Sequence, residues 1–294
     1  MSANAHPLVA GGANLPRRRR VNRVVELSAT VAALLAVAVL LIVVGSVFLK
    51  GVGAINLDFF TKGPAAFGES GGGIANALVG TGIMVGIAAL IAVPIGILVA
   101  IYTTEFADQS VASIVRFALD ILNGVPSIII GVFIVGLMVN SQGHQSGYAG
   151  SVALAIIMLP IVARTAQEVL ELVPGTLREA AYALGVTRWR TILRVTLPTA
   201  FGGMLTGALL AVARAAGETA PLLLVTSVVS TQISTDPSQA LASVPLTIFQ
   251  FSESPNPQNH TQAWAAALVL IAFILVLNVI ARAFYSRSRR RMES

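Results

Sequence analysis

Six apolar stretches alternate with polar segments along the chain. They run over Leu27–Leu49, Ile74–Tyr102, Phe117–Val139, Ser151–Val173, Leu197–Thr226 and Ala263–Phe284. A bilayer's hydrocarbon core of about 30 Å needs about 20 helical residues at ~1.5 Å each, so every run is long enough to span it. The first run is longer than the apolar part of a secretory signal, and Gly45, Ser46 and Val47 make a poor cleavage site, so we read it as an uncleaved span. Pro94 predicts a kink in the second span, and Gly82 and Gly86 form a small-xxx-small pair suited to close helix approach. The stretch Asn123-Gly124-Val125-Pro126-Ser127 is a breakable point in the third.

The spans divide the chain into a basic tail (1–26), a first helix (27–49), a loop rich in Gly and charge (50–73) and a core of five further helices (74–285) that includes a polar segment at 174–196. A second basic tail covers 286–294. The loop over 229–262 is rich in Ser, Gln, Asn and Pro and holds no Lys or Arg.

Composition agrees with the pattern. Of 294 residues 55% are hydrophobic and 11% charged, where a soluble domain carries about 25% charged residues. The chain is an integral membrane protein. There is no cysteine, and His6, His144 and His260 are scattered through polar segments, so the sequence offers no metal site and suggests no cofactor. The net charge of +6 sits beside the spans and speaks for membrane lipid rather than nucleic acid as its partner. If both termini are cytoplasmic, the inner side carries Arg17, Arg18, Arg19, Arg20, Arg23, Arg116, Arg178, Arg188, Arg190, Arg194, Arg282, Arg287, Arg289, Arg290 and Arg291, against Lys50 and Lys62 outside. The positive-inside rule therefore predicts a multi-pass cell-membrane protein with both ends in the cytoplasm.

Two arginines, Arg164 and Arg214, remain within spans. A charge at membrane depth costs about 2.5–3.5 kcal/mol on insertion scales, so it faces a bundle interior or a water-filled path. The guanidinium fork suits a tetrahedral oxyanion, and two of them suggest an anionic cargo. Glu168 and Glu218 follow one turn later, on the same faces. Each Arg–Glu pair could line the path, or simply neutralise itself. Asp120 and Asn123 could line the path too, though hydrogen bonding between helices is the reading favoured for them. Gly217 and Pro221 either break the fifth helix beside Glu218 or make an ordinary proline kink.

The segment at 174–196 differs in kind, being amphipathic and basic. It reads Glu179-Ala180-Ala181, three residues, Gly185, nine residues, Val195, one residue, Leu197-Pro198. This resembles the EAA motif of ABC importer permeases, with Val195 where isoleucine is usual. Further stretches, Asn123–Ser127, Leu159–Thr165 and Arg214–Leu222 (RAAGETAPL), resemble the permeases of phosphate-specific members of that family, over roughly Ile74–Phe284.

The resemblance implies an all-helical type I ABC importer permease fold with six transmembrane helices. It implies a coupling helix containing Glu179, Ala180, Ala181 and Gly185, followed by Leu197 and Pro198, that docks on an ATPase. It also implies a substrate path past Arg164, Glu168, Arg214, Glu218 and Thr219. The implied partners are a second permease subunit in a heterodimer, a dimer of ATP-binding subunits and an extracytoplasmic phosphate-binding protein. No G-x-x-x-x-G-K-[ST] loop occurs in the sequence, so ATP hydrolysis is expected from partners and the chain itself is not expected to be an enzyme. Passage of another oxyanion, proton-coupled anion transport and a non-transporting membrane scaffold stay open on residues alone.

Overall fold

A computed structural model describes residues 15–65, 71–226 and 232–293, with side chains from 18 to 284. The first fourteen residues of the expected tail, Glu69, part of the 229–262 loop and the side chains of Arg17 and Arg287–Arg291 lie outside the described residues.

The chain forms two compact units, residues 1–49 and 50–294. The first is occupied by α1 (Leu15–Gly51). The helix starts well before the apolar run at 27, because the five arginines from 17 to 23, Glu26 and Leu27 favour helix and no glycine or proline interrupts them. The expected tail is therefore helical from Leu15.

In the second unit a short α2 (Leu57–Thr61) is capped by Asn56, whose side chain accepts the Phe59 N–H at 2.8 Å. Then come α3 (Ala75–Ile101), α4 (Gln109–Gly124), α5 (Ser127–Ile134), α6 (Asn140–Gln142) and α7 (Gly147–Glu171). They are followed by α8 (Gly175–Ala183), α9 (Arg188–Thr191), α10 (Leu197–Ala216), α11 (Ala220–Val225), α12 (Val244–Ser252) and α13 (Pro257–Glu293). Wide π turns extend α3 over Tyr102–Phe106, join α5 to α6 over Val135–Val139, and join α9 to α10 over Ile192–Thr196.

Five helical stretches among the described residues are long and apolar enough to cross a membrane: 18–54, 75–106, 147–171, 188–216 and 257–284. The sixth, expected as one span over Phe117–Val139, is instead a broken pair, with α4 and α5 bent by 94°. Pro126 forces Val125 into an extended conformation (φ −68°, ψ 128°), and Pro126 itself is extended (ψ 131°), so the chain turns before Ser127 restarts a helix.

The fifth span also moves. Helix runs without interruption from Arg188 to Ala216, stops, and resumes at Ala220. The π turn lies just ahead of Pro198, whose ring would clash with the carbonyl four residues back in a regular helix. Leu197 and Pro198 thus lie inside a long helix. The polar loop is structured from residue 232 onward. Thr226 Oγ1 donates to the Leu241 carbonyl (2.7 Å) and accepts from its N–H (2.8 Å), and α12 buries Val244, Leu246 and Phe251.

The main core lies between α3, α7, α10, α11 and the α5 segment, with Met84, Ala88, Ala92, Ile134, Leu154 and Met158 buried. Without a hydrophobic drive inside lipid, such helices associate through small residues that let backbones close up. The glycines that do this differ from those expected. Gly82 and Gly86 face open space, whereas a Cβ on Gly96 would come within 2.9 Å of Val162 Cγ1.

Candidate functional site

The α7–α10 packing sets the levels of the two intramembrane arginines. A Cβ on Gly207 would meet Thr165 Cβ at 2.6 Å, and one on Gly203 would meet Val169 Cγ1 at 2.6 Å. One turn back on α10 thus matches one turn forward on α7. The helices are antiparallel, and Arg214 lies level with Met158, about 9 Å along the axis from Arg164. The two arginines sit on neighbouring helices without touching.

Arg164 does not pair with Glu168. It reaches across to α4 and binds Asp120 in a bidentate fork: Nε donates to Oδ1 at 2.9 Å, and Nη2 contacts both carboxylate oxygens. Glu168 is exposed, and its side chain makes no salt bridge or hydrogen bond among the described residues. One turn earlier on α4, Arg116 pairs with Glu171 of α7 at 2.6 Å. The helices α4 and α7 are therefore joined by two ion pairs of opposite polarity. Asn123 has no bond across the helices among the described residues, where the packing role expected of the Asp120–Asn123 pair falls to Asp120.

Arg214 is held more loosely. Its Nε lies 3.9 Å from Glu218 Oε1, beyond hydrogen-bond range, and no other partner takes its donors among the described residues. Its side chain is 59% exposed while that of Glu218 is 16% exposed. The helix ends beneath it: the Gly217 N–H bonds back to the Arg214 carbonyl (3.1 Å) and the Glu218 N–H to that of Ala215 (3.2 Å). Pro221, at the start of α11, cannot continue the ladder. Of the two readings open at Gly217 and Pro221, the break is the one present, and Thr219 is the junction residue, its carbonyl accepting the Leu223 N–H.

The EAA-like segment is built around Gly185, at φ +76°. The Gly185 N–H bonds to the Tyr182 carbonyl and the Val186 N–H to that of Ala181 (2.9 and 3.0 Å), a left-handed helix end that only glycine adopts cheaply. Glu179 and Ala180 are exposed, and Ala181 is buried. Leu197 packs against the cluster of Leu170, Ala200 and Met204, and Pro198 is exposed. Trp189 stands 6.5 Å from Phe106, and Arg188 lies over the same ring.

The sequence gives no hint of the clamp that fastens α8. Arg178 donates to Glu105 Oε1 through Nε and Nη2 (3.1 and 2.8 Å), to the Val173 carbonyl (3.1 Å) and to the Leu170 carbonyl (3.0 Å). One side chain thus ties α8 to the ends of α3 and α7 and satisfies carbonyls that α7 leaves open at its C-terminus.

A half-open cleft of 540 Å³ adjoins α4, lined by Thr103, Gln109, Ser113, Arg116 and Asp120 among others. A second, wholly apolar cleft of 430 Å³ lies between Val125, Phe133 and Leu159.

An all-helical bundle with a broken span, an intramembrane arginine at a helix break and a capped amphipathic segment between the fourth and fifth spans defines a class. The chain belongs to the family described as binding-protein-dependent transport system inner membrane component, whose model matches residues 92–294. It is 41% identical to the phosphate transport system permease protein PstA of Yersinia pestis over 92% of both chains. It is also 40% identical to PstA 1 of Mycobacterium tuberculosis (strain H37Rv) over 75% of this chain and 73% of that one. Two solved structures share the fold. One is a bacterial alginate ABC transporter (TM-score 0.59, 16% identity, 92% and 96% of the chains covered), the other the MetNI methionine ABC transporter (0.57, 19%, 73% and 94%). The fold is that of an ABC importer permease, and the chain is a multi-pass inner membrane component. Permeases of this family work with ATPase and binding-protein subunits, and the hydrolysis belongs to those partners.

Proposed function

We propose that this chain is the transmembrane permease subunit of an ATP-driven inorganic phosphate importer, forming half of the translocation pathway. The observation that carries the reading is Arg214. In a chain 41% identical to a PstA permease, a guanidinium lies within a membrane span, beside a helix break, with none of its donors hydrogen-bonded among the described residues. A charge at membrane depth without strong partners is costly, and an oxyanion supplies the missing ones.

On this reading Arg214, Arg164, Glu218, Thr219 and Glu168 border the path, and Asp120 joins them as the counter-ion of Arg164. The coupling loop is 174–196, and the exposed face of α8, with Glu179 and Ala180, meets a dimer of ATP-binding subunits. A second permease subunit completes the pathway, and an extracytoplasmic phosphate-binding protein delivers the anion. Both termini lie in the cytoplasm, which the concentration of arginine on the side of α8 supports. Closure of the ATPases moves α8, and the Arg178 clamp passes the movement to the ends of α3 and α7. The span bearing Arg164 then tilts relative to that bearing Arg214.

The test is uptake of labelled phosphate into proteoliposomes holding the whole complex, with ATP and with a proton gradient supplied separately, and with sulfate and molybdate as competitors. Uptake that needs ATP and resists both competitors supports the reading. Uptake driven by the proton gradient alone, or abolished by sulfate or molybdate, contradicts it.

A further inference from the structure

Arginine pairs elsewhere in the second unit show what a structural arginine looks like here. Arg178 places four hydrogen bonds, and Arg164 holds both oxygens of one carboxylate. Arg116 is different. Its one hydrogen bond is from Nη2 to Glu171, its side chain is 40% exposed, and its Nε is sealed from solvent with no partner among the described residues. Glu171 thus takes one donor of the fork and leaves its exposed part open to an anion.

Arg116 also borders the 540 Å³ cleft, whose other polar groups are the hydroxyls of Thr103 and Ser113, the amide of Gln109 and the carboxylate of Asp120. Its partner Glu171 is seven residues beyond Arg164 on α7, and Arg116 itself is four residues before Asp120 on α4, so Arg116 lies about 6–10 Å nearer the coupling segment. The order along the bundle is Arg214, Arg164, Arg116, in steps of about 6–10 Å. Each has a carboxylate beside it, in Glu218, Asp120 and Glu171 respectively.

We propose that Arg116 is a further anion site, which takes phosphate in the α4 cleft after it leaves Arg164; this rests on the phosphate-permease reading above. Glu171 occupies the Arg116 fork until the anion arrives. Asp120 does the same at Arg164, and its charge on the cleft wall drives a passing dianion onward. A carboxylate at each stop keeps the empty path near neutral, which limits the desolvation cost of the two arginines within the spans.

The test is equilibrium binding of radiolabelled inorganic phosphate to the assembled transporter in nanodiscs, without nucleotide and without binding protein. Arg116→Gln weakens binding per assembled complex about tenfold, the order expected when one charge-assisted contact is lost. Glu171→Gln, which frees Arg116, tightens it, and the double variant behaves as Arg116→Gln alone. Should Arg116→Gln fail to assemble, Glu171→Gln carries the test by itself. Unchanged binding in Arg116→Gln, weaker or unchanged binding in Glu171→Gln, or no binding by the wild type overturns the inference. Full uptake by Arg164→Gln and Arg214→Gln would remove the phosphate-path reading itself. Their loss of uptake together with an unaffected Arg116→Gln removes only this site.

Discussion

Arg164 on α7 is held by Asp120 on α4, across the bundle, and not by Glu168 one turn away on its own helix. The pair joins the broken span to the central helix, so it constrains packing as well as the anion path. Asp120→Ala should strand the guanidinium and lower the yield of assembled complex several-fold. In the double variant Arg164→Gln/Asp120→Asn, neutral on both sides, assembly should recover while uptake does not. Quantifying co-purified ATPase subunit beside phosphate uptake separates the two roles. Recovery of both together would make the pair purely structural.

Gly185 is needed for its backbone and not for space. Its φ is +76°, and a Cβ there would meet nothing within 4 Å. Gly185→Ala should cost the α8 end about 1 kcal/mol, Gly185→Val more, and Gly185→Asn least of the three. Retention of the ATPase subunit through purification should follow that order. If Asn is as damaging as Val, the glycine serves close approach of a partner instead.

The Arg178–Glu105 pair is the most buried ion pair described, with side chains 21% and 6% exposed. Removing one partner of such a pair costs roughly 3 kcal/mol, and lysine cannot replace a fork that serves a carboxylate and two carbonyls at once. We expect Arg178→Lys and Glu105→Gln to lower the melting temperature of the complex and to leave ATP hydrolysis running without matching uptake. Normal coupling in both variants would show that α8 transmits movement by another route.

Gly207 lets α10 approach α7 at Thr165, next to Arg164. Gly207→Val should push the helices apart, and overpacking of this kind costs about 1–3 kcal/mol. Gly82→Val, where nothing lies within 4 Å inside the chain, should leave the subunit's own thermal stability unchanged. Equal losses in both variants would contradict the packing assignment.

Much of this was legible in the sequence, and the failures share a cause. Apolar length located most of the spans, Asn123–Ser127 marked a real break, and Gly217–Pro221 marked a place where a break or a kink was open; the Glu179–Gly185 spacing carried a family resemblance but not the helix end found at Gly185. Spacing along one helix, however, sees only i and i+4 neighbours, so it offered Glu168 to Arg164. Asp120 is 44 residues away and comes near only through the fold. The same limit hid Arg178 with Glu105 and Arg116 with Glu171. Gly82 and Gly86 have the right spacing for close packing, yet which face of a helix meets a neighbour depends on where that neighbour lies. The 94° bend escaped because polarity predicts a weak point but not its angle.

The central claim is that Arg214 and Arg164 carry the anion. The most direct measurement compares phosphate uptake by wild type, Arg214→Gln and Arg164→Gln in proteoliposomes containing the whole complex, with ATP hydrolysis read in parallel. The account predicts that uptake per assembled complex falls at least a hundredfold, about 3 kcal/mol for a charged contact, while the complex that assembles still hydrolyses ATP. Uptake that persists at wild-type rates in both variants would contradict it.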